Sequence, residues 1–568
     1  MIIDSGSLEE GELLQADVAV VGSGPAGITT ALELENHGLS VVLIESGRRQ
    51  FEGETQDLGD AAIEDETRHA PMSMTTRRVL GGASSVWGGR CVPFDPIDFA
   101  SRPFVDGEWP VNDEELVPLY GRACELFVCG RPAFSVAEMP QLPPSIVPGL
   151  EDGDVLSSTF ERWSLPTDFG QVYYARLEQS RDLRVVTGLT CTQIVAEPSR
   201  QAVSRLVAKT LSGKTVAVKA RSYVLACGGL ETTRLLLASR DGSGRAIGDH
   251  SGHLGRWYMG HLEGSIANVR FTTPPRETIY GYERDIDRVY VRRRISTHPD
   301  VQVREQLPNI VCWLANPDLP DASHRDGALS LAYLLLSSPL GRVLSPPAQR
   351  AAMTGERVPG VPYGPVKRSP FREHLRNITR DLPGAIGFAL DFGPKRFLVR
   401  GRRAPGFFVK RSDNVYPLQF HGEHLPSFDS RVSLDDSRDQ LDLPRLRIDV
   451  RFSDADVDGV VQAHELWDRH LRAQGVGSLE YTDDDRAAAV SSCLGAGFHQ
   501  SGTTRMSADP ADGVLTPDLA VHGFDDLYVA SSSAFVTSGQ ANSTFMIVVF
   551  AIRLAQHLRS RLGSRSAG

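Results

Sequence analysis

The stretch "ADVAVVGSGPAGITTALELENHGLSVVLIES", residues 16 to 46, decides the fold. A short β-branched run leads into Gly22-x-Gly24-x-x-Gly27, a helical pattern follows, and a second β-branched run ends at Glu45. Strand, turn, helix and strand in that order, with an acid 18 positions after the last glycine, form the fingerprint of a dinucleotide-binding unit. Gly22 and Gly24 let backbone N–H groups approach a pyrophosphate at the positive end of the helix, and Gly27 lets the helix lie on its strand. Glu45 is placed to accept from a ribose hydroxyl. The segment alone leaves the choice of dinucleotide open.

"RSYVLACGGLETTRLLLAS" (221 to 239) narrows it, reading as a buried strand, a Cys227-Gly228-Gly229 turn and a helix. A simple NAD domain has no need of this second close backbone approach, whereas FAD domains commonly have one. "LRVVTGLTCTQIVAE" (183 to 197), which carries Cys191, reads as a strand beside it, near an adenine.

The 568 residues exceed one ordinary core and suggest about three folding units, or interleaved domains. Net charge is -11 and the basic residues look scattered, which argues against nucleic acid. Nothing approaches 18 consecutive apolar residues and the first residues are acidic, so the expectation is a cytoplasmic protein with no membrane partner. Seven cysteines at irregular spacing fit neither a disulfide framework nor a zinc site. Cys124 and Cys129 have the C-x4-C spacing of flavin disulfide reductases. They fall in an amphipathic helical pattern, DEELVPLYGRACELFVC, where five residues separate side chains by roughly 140°. Packing rather than redox chemistry is expected of them.

At "RRVLGGASSVWGGRCVPFDPIDF" the chain resembles a specific family. With the N-terminal cradle, "LGRWYMGH" (254 to 261), "DSRVSLD" (429 to 435) and the closing "HQSGTTRM...DLYVASSSAFVTSGQANSTFMIVVFAIRLA", it is similar to the glucose-methanol-choline oxidoreductases, most of all their pyranose oxidase-like branch. That resemblance implies an α/β fold, α+β overall: a doubly wound Rossmann-type FAD-binding domain, discontinuous in sequence (1-115, 180-262 and 490-568), and an antiparallel-sheet substrate domain (116-179 and 263-489). Residues 330-370 match no motif and read as an insertion, with a lid or an oligomer contact as alternatives. Beyond the cradle, the resemblance places Gly81, Gly82, Ser84, Trp87, Cys191, Gly228, Ala530, Ser531, Asn542, Ser543 and Thr544 at the FAD. Some members bind FAD covalently through a histidine after the G-G-x-S-[ST] turn. Val86 stands there, so non-covalent FAD is expected.

Oxidising an alcohol removes a hydride, which goes to flavin N5, and a hydroxyl proton, which needs a base. A histidine suits that task, since its ordinary pKa near 6.5 leaves it neutral and able to hold a proton. The family's base lies in H-x-x-G-T, matched by His499-Gln500-Ser501-Gly502-Thr503, and its partner by Asn542, 43 positions on. Asn542 would donate to the oxygen as it becomes alkoxide-like. As alternatives, Asn542 is a helix N-cap and His499 ties two loops together. Gln540 stands where related sequences carry another histidine, and is read as substrate wall.

"NVYPLQFHGEHLP" (414 to 426) reads as a strand with Gln419, His421 and Glu423 on one face, similar to the Q-x-H-x-acid strand that faces the sugar in pyranose oxidases. A solvent-facing sheet edge is the alternative. His421 and His424 lie on opposite faces and no third ligand is evident, so no metal is expected. The expected reaction is oxidation of a sugar, glycoside or sugar-like alcohol, with O2 or a quinone-like compound as acceptor. A lyase with a non-redox flavin, as in the family's hydroxynitrile lyases, is the alternative.

Overall fold

The computed structural model describes residues 1–164, 167–197, 201–345, 347–356, 366–399 and 401–563. The opening stretch forms Val18–Val21, the helix Pro25–Leu34 and Val41–Glu45. Both strands are buried at every position, because helices cover both faces of a parallel sheet. That sheet has six strands in the order Ile2–Asp4, Leu183–Thr187, Val41–Glu45, Val18–Val21, Ser222–Leu225 and Leu527–Val529, every neighbouring pair parallel. Its strands thus come from the start, the middle and the end of the chain.

The 183 to 197 segment is not one strand. The chain turns at Gly188, whose φ is +72°, and Thr190–Ala196 continues into a separate four-stranded sheet with Leu13–Gln15, Val203–Lys209 and Thr215–Lys219. The C-terminal helix Thr544–Gly563 packs beside the Pro25–Leu34 helix. Its buried Phe545, Met546, Val549 and Phe550 enter the same core, where Leu116, Tyr120 and Phe127 join them.

The DEELVPLYGRACELFVC helix is broken. Asp113–Leu116, a 3-10 turn at Val117–Leu119 around Pro118, and Tyr120–Phe127 follow one another. Val128 then takes the left-handed conformation (φ +54°) and turns Cys129 back toward the helix. Cys129 N donates to the Cys124 carbonyl at 3.0 Å, and the thiols of Cys91, Cys124 and Cys129 converge closely enough to shift one another's pKa instead of diverging. All three are free and buried.

A second, antiparallel sheet of eight strands stands against the first domain. Its path is Gly477–Tyr481, His261–Phe271, Val415–Glu423, Ile310–Leu314, Tyr290–Thr297, Val155–Trp163 and Arg90–Cys91, with Glu283–Arg284 pairing to Tyr290–Thr297. The helix Asp454–Ala473 covers its outer face through Leu466, Trp467 and Leu471, which join the core formed by Leu262, Ile310 and Phe420. Among the described residues of the 330-370 segment are the helices Gly327–Ser337, Gly341–Leu344 and Pro347–Thr354, while 357–365 fall outside them.

Candidate active site

A cleft opens along the C-terminal ends of the parallel strands. Gly22, Gly24, Glu45, Gly82, Ser84, Trp87, Cys191, Gly228, Ala530, Ser531, Ser543 and Thr544 line it. The glycines divide by what a side chain would meet. A Cβ on Gly27 would lie 1.8 Å from the Gly22 carbonyl oxygen, so this glycine serves the packing of the helix on its strand. One on Gly24 would meet nothing within 4 Å and would stand in the open cleft. Gly228 is equally open, with φ +87°. The backbone at Gly24 and Gly228 is thus bared to the cleft, as a close-lying pyrophosphate requires.

Glu45 is buried, and its oxygens already accept from the Ser23 amide (2.8 Å), the Ser23 hydroxyl (2.7 Å) and the Gly47 amide (2.7 Å). Burial pushes its pKa up, against these hydrogen bonds. Gly81 does not line the cleft. Its φ is +96°, and its amide donates to Ser23 O at 3.0 Å, fixing the turn that carries Gly82 and Ser84. An Arg78–Glu231 ion pair also borders the cleft and joins two of the quoted stretches, a pairing that neither stretch reveals by itself.

His499 sits on the irregular "GAGFHQSGTTRMS" segment, which has no regular structure of its own but is pinned on several sides. Ser501 and Met259 exchange backbone hydrogen bonds of 3.0 Å, Thr503 and Thr233 share one of 2.7 Å, and the Gln500 carbonyl accepts from Ser532. Gly502 must be glycine, since its φ is +89° and a Cβ would lie 2.0 Å from Trp257 O.

Asn542 lies just before the C-terminal helix, but its side chain faces His499, and Ser543 O takes the first helical bond, from Ile547 N. Arg90 Nη1 donates to Asn542 Oδ1 at 2.7 Å, which leaves Nδ2 facing His499 Nε2 at 2.8 Å. An amide nitrogen can only donate, so Nε2 must carry its lone pair toward Asn542. Arg90 thereby fixes the amide, and the amide fixes the tautomer of His499. Burial and the Arg90 cation lower the His499 pKa to about 4, which keeps the ring neutral at ordinary pH.

Register explains how distant residues meet here. Across the eight-stranded sheet Arg90 stands opposite Trp163, Arg292 opposite Glu161, Trp313 opposite Gln419, His421 opposite Glu263, and His261 opposite Glu423. Partners across a ladder project to the same side, so these residues form one face. Glu161 is fully buried and ion-paired to both Arg90 and Arg292. Burial would raise its pKa, and the two guanidinium groups outweigh that and lower it. Both arginines lie over the Trp313 ring, at 4.9 and 4.3 Å.

Val415–Glu423 is an interior strand, so its polar residues are not at a solvent-facing edge. Gln419 donates to Glu263 at 3.1 Å. Burial raises Glu263 to about 7, opposed by Arg90, Arg292 and this hydrogen bond. Glu423 shares the strand but not the wall, since Arg102 holds it in a two-pronged buried ion pair of 2.6 and 2.7 Å. Gln540 is fully buried, and its amide donates to Asp95 at 2.9 Å.

His421 Nδ1 donates to the Gln540 carbonyl at 2.6 Å, which makes its Nε2 an acceptor, and that buried atom has no protein partner. His261, the last residue of "LGRWYMGH", stacks on His421 at 4.4 Å and meets His499 edge-on at 4.7 Å, with neither nitrogen bonded. This is the third imidazole that the sequence did not reveal, and donor atoms of all three lie within 4.8 Å of one another. Burial above all lowers the pKa of each, and the neighbouring Arg90 cation adds to it, so its field opposes a further cation among them.

Known proteins agree with this architecture. The family model for GMC oxidoreductases matches residues 426–551, and one for an FAD binding domain matches residues 15–54. Paromamine 6'-oxidase of Streptomyces fradiae is 24% identical over 97% of this chain and 92% of its own length. For 6'''-hydroxyparomomycin C oxidase of Streptomyces lividus the identity is 23%, with the same coverage. The crystal structure of pyridoxine 4-oxidase from Mesorbium loti superposes with a TM-score of 0.53 at 16% identity, covering 95% of this chain and 98% of that one. Fold, cleft and these similarities together are those of an FAD-dependent oxidoreductase. The similarity to GMC oxidoreductases is carried by residues 426–551, the part of the chain that holds His499 and Asn542.

Proposed function

We propose that the protein oxidises a CH–OH group of a sugar, glycoside or sugar-like natural product to a carbonyl, with His499 as base and Asn542 as oxyanion donor. The observation that carries this reading is the Arg90–Asn542–His499 chain of hydrogen bonds at 2.7 and 2.8 Å. Bound FAD supplies the two-electron acceptor. Bared backbone at Gly24 and Gly228 would hold its phosphates, and FAD would stay non-covalent, because Val86 has no atom with which to make the bond. The alcohol oxygen would enter between His499 Nε2 and Asn542 Nδ2 and replace their direct hydrogen bond, so that the freed Nε2 lone pair takes the hydroxyl proton while Asn542 Nδ2–H, with the Arg90 cation behind it, stabilises the charge left on oxygen. Gln419, Glu263, His421 and His261 offer the donors and acceptors that a ring with several hydroxyls needs. Similarity to aminoglycoside oxidases supports a sugar-like substrate. Seven free thiols fit the cytoplasm, and either O2 or a quinone-like compound would serve as acceptor.

The test is anaerobic mixing of the flavin-loaded protein with sugars, glycosides and amino sugars while the flavin absorbance is followed. At least one should bleach it. A flavin that stays oxidised while an alcohol is cleaved would instead mark a lyase.

A further inference from the structure

The described exposed large hydrophobic side chains are not spread evenly. They number 21, and 10 of them fall between Leu335 and Leu398. The helices Phe371–Arg380 and Leu382–Gly393 and the π-helical turn Pro394–Leu398 carry Phe371 (62% exposed), Leu390 (72%) and Leu398 (76%), with Leu375, Leu382 and Ile386 between them. Leu382, Ile386 and Leu390 recur every four residues, a stripe along one helix face.

The opposite faces are spoken for. His374 and Asn377 point inward to the carbonyls of Pro320 (3.1 Å) and Ala322 (2.8 Å). Phe388 and Phe392 pack on Phe407, and Phe392 joins the cluster of Trp163, Tyr282 and Tyr290. Trp163 in turn lies under Arg292 of the polar wall, so the exposed stripe is the outer side of a layer whose inner side borders the candidate active site.

The same segment is the basic part of an acidic protein. Residues 366 to 403 hold ten Lys or Arg against three Asp or Glu, in a chain of net charge -11. The basic residues are therefore concentrated here, not scattered as expected above. Arg372, Arg376 and Arg380 form a row beside Phe371 and Leu375, all three exposed and without an ion pair among the described residues. Apolar side chains flanked by long cations that can reach outward are the pattern of an element lying in the plane of a lipid headgroup layer.

We propose that this face, Phe371–Arg380 with Leu382–Leu398, docks the protein on an anionic lipid membrane surface. No described helix is long and apolar enough to cross a membrane, so the contact is with the surface. Lipid suits the face better than a second copy does, because two such cationic faces repel when they meet. The proposal departs from the expectation of no membrane partner, which rested on the lack of a long apolar run and on the acidic first residues. It does not depend on the reaction proposed above.

The test is flotation of the FAD-loaded full chain with vesicles of phosphatidylcholine alone or with about 30% phosphatidylglycerol. The bound fraction should be at least about tenfold higher on the anionic vesicles and should fall as salt rises. The pairs Ile386→Ser with Leu390→Ser, and Arg372→Glu with Arg376→Glu, should each abolish flotation while flavin content stays that of the wild type. Equal binding to both vesicles, or to neither, would overturn the proposal, and the salt series on the wild type keeps the test independent of how the variants fold. A stable oligomer that the same substitutions dissociate would assign the face to a second copy instead.

Discussion

The flavin cleft and the polar wall meet where Ser543 of the cleft adjoins Asn542, which Arg90 of the wall holds, yet they are built in opposite ways. The cleft is lined by short runs of chain neighbours, among them residues 22–26, 82–84 and 226–229, each with a local geometry that already points to what it holds. The wall has Arg90, Glu161, Arg292, Trp313, Gln419, His421 and His261 on six different strands, and only register brings them together. Local motifs therefore specify a cofactor, whereas long-range pairing specifies what is oxidised beside it.

The largest effects should come from the cleft, and they should separate its two kinds of glycine. Gly24→Val is expected to fold and melt normally as the apoprotein but to lose at least about tenfold in flavin content, since the new side chain fills open cleft. Gly27→Ala puts a methyl group 1.8 Å from backbone. It should lower the melting temperature of apoprotein and holoprotein alike, by the roughly 1–3 kcal/mol or more of an overpacked site. Equal loss of stability in both variants would erase the distinction.

Next come the groups that hold the base. Asn542→Ala should slow anaerobic flavin reduction by about 10² to 10³, as for loss of one oxyanion donor. Arg90→Lys can still pair with Glu161 but cannot orient the amide as a guanidinium does. It should slow reduction by about 10- to 100-fold, the range for outer-layer partners of a reactive group. This loss should appear in kcat rather than KM, and in a changed pH profile. A loss confined to KM would make Arg90 part of the substrate wall alone.

How much of this the sequence could show follows from the same contrast. Gly22, Gly24, Glu45, His499 and Asn542 are legible because each sits in a motif whose residues are neighbours along the chain. Arg90 also lies within a motif, yet its role stays hidden there, since its partners Glu161 and Asn542 are 71 and 452 positions away. His261 closes another motif and is equally mute in sequence, because its value depends on stacking against His421. Glu423 looks like wall by strand alternation, but alternation cannot reveal that Arg102 claims it. The convergence of Cys124 and Cys129 escapes the spacing argument because one left-handed residue, Val128, ends the helix on which that argument depends.

The smallest effect should come from Glu263. With a pKa of about 7, it titrates across the working range, losing its charge as pH falls below that value. Glu263→Gln should remove an inflection near pH 7 from the pH dependence of substrate affinity and leave the limiting rate within a fewfold of wild type. An inflection that survives the substitution would belong to another group.

The measurement that bears most directly on the account is single-turnover anaerobic flavin reduction by wild type and His499→Ala, compared at equal flavin content and across pH. A base whose pKa lies at about 4 is neutral above that pH and protonated below it. Wild-type reduction should therefore fall on the acid side only as pH approaches about 4, well below the 6.5 of a free imidazole. His499→Ala should be slower by about 10² to 10⁴ and should lose that acid limb. Reduction of His499→Ala at the wild-type rate, with the acid limb intact, would contradict the role given to His499 and the reading of the Arg90–Asn542 chain that supports it.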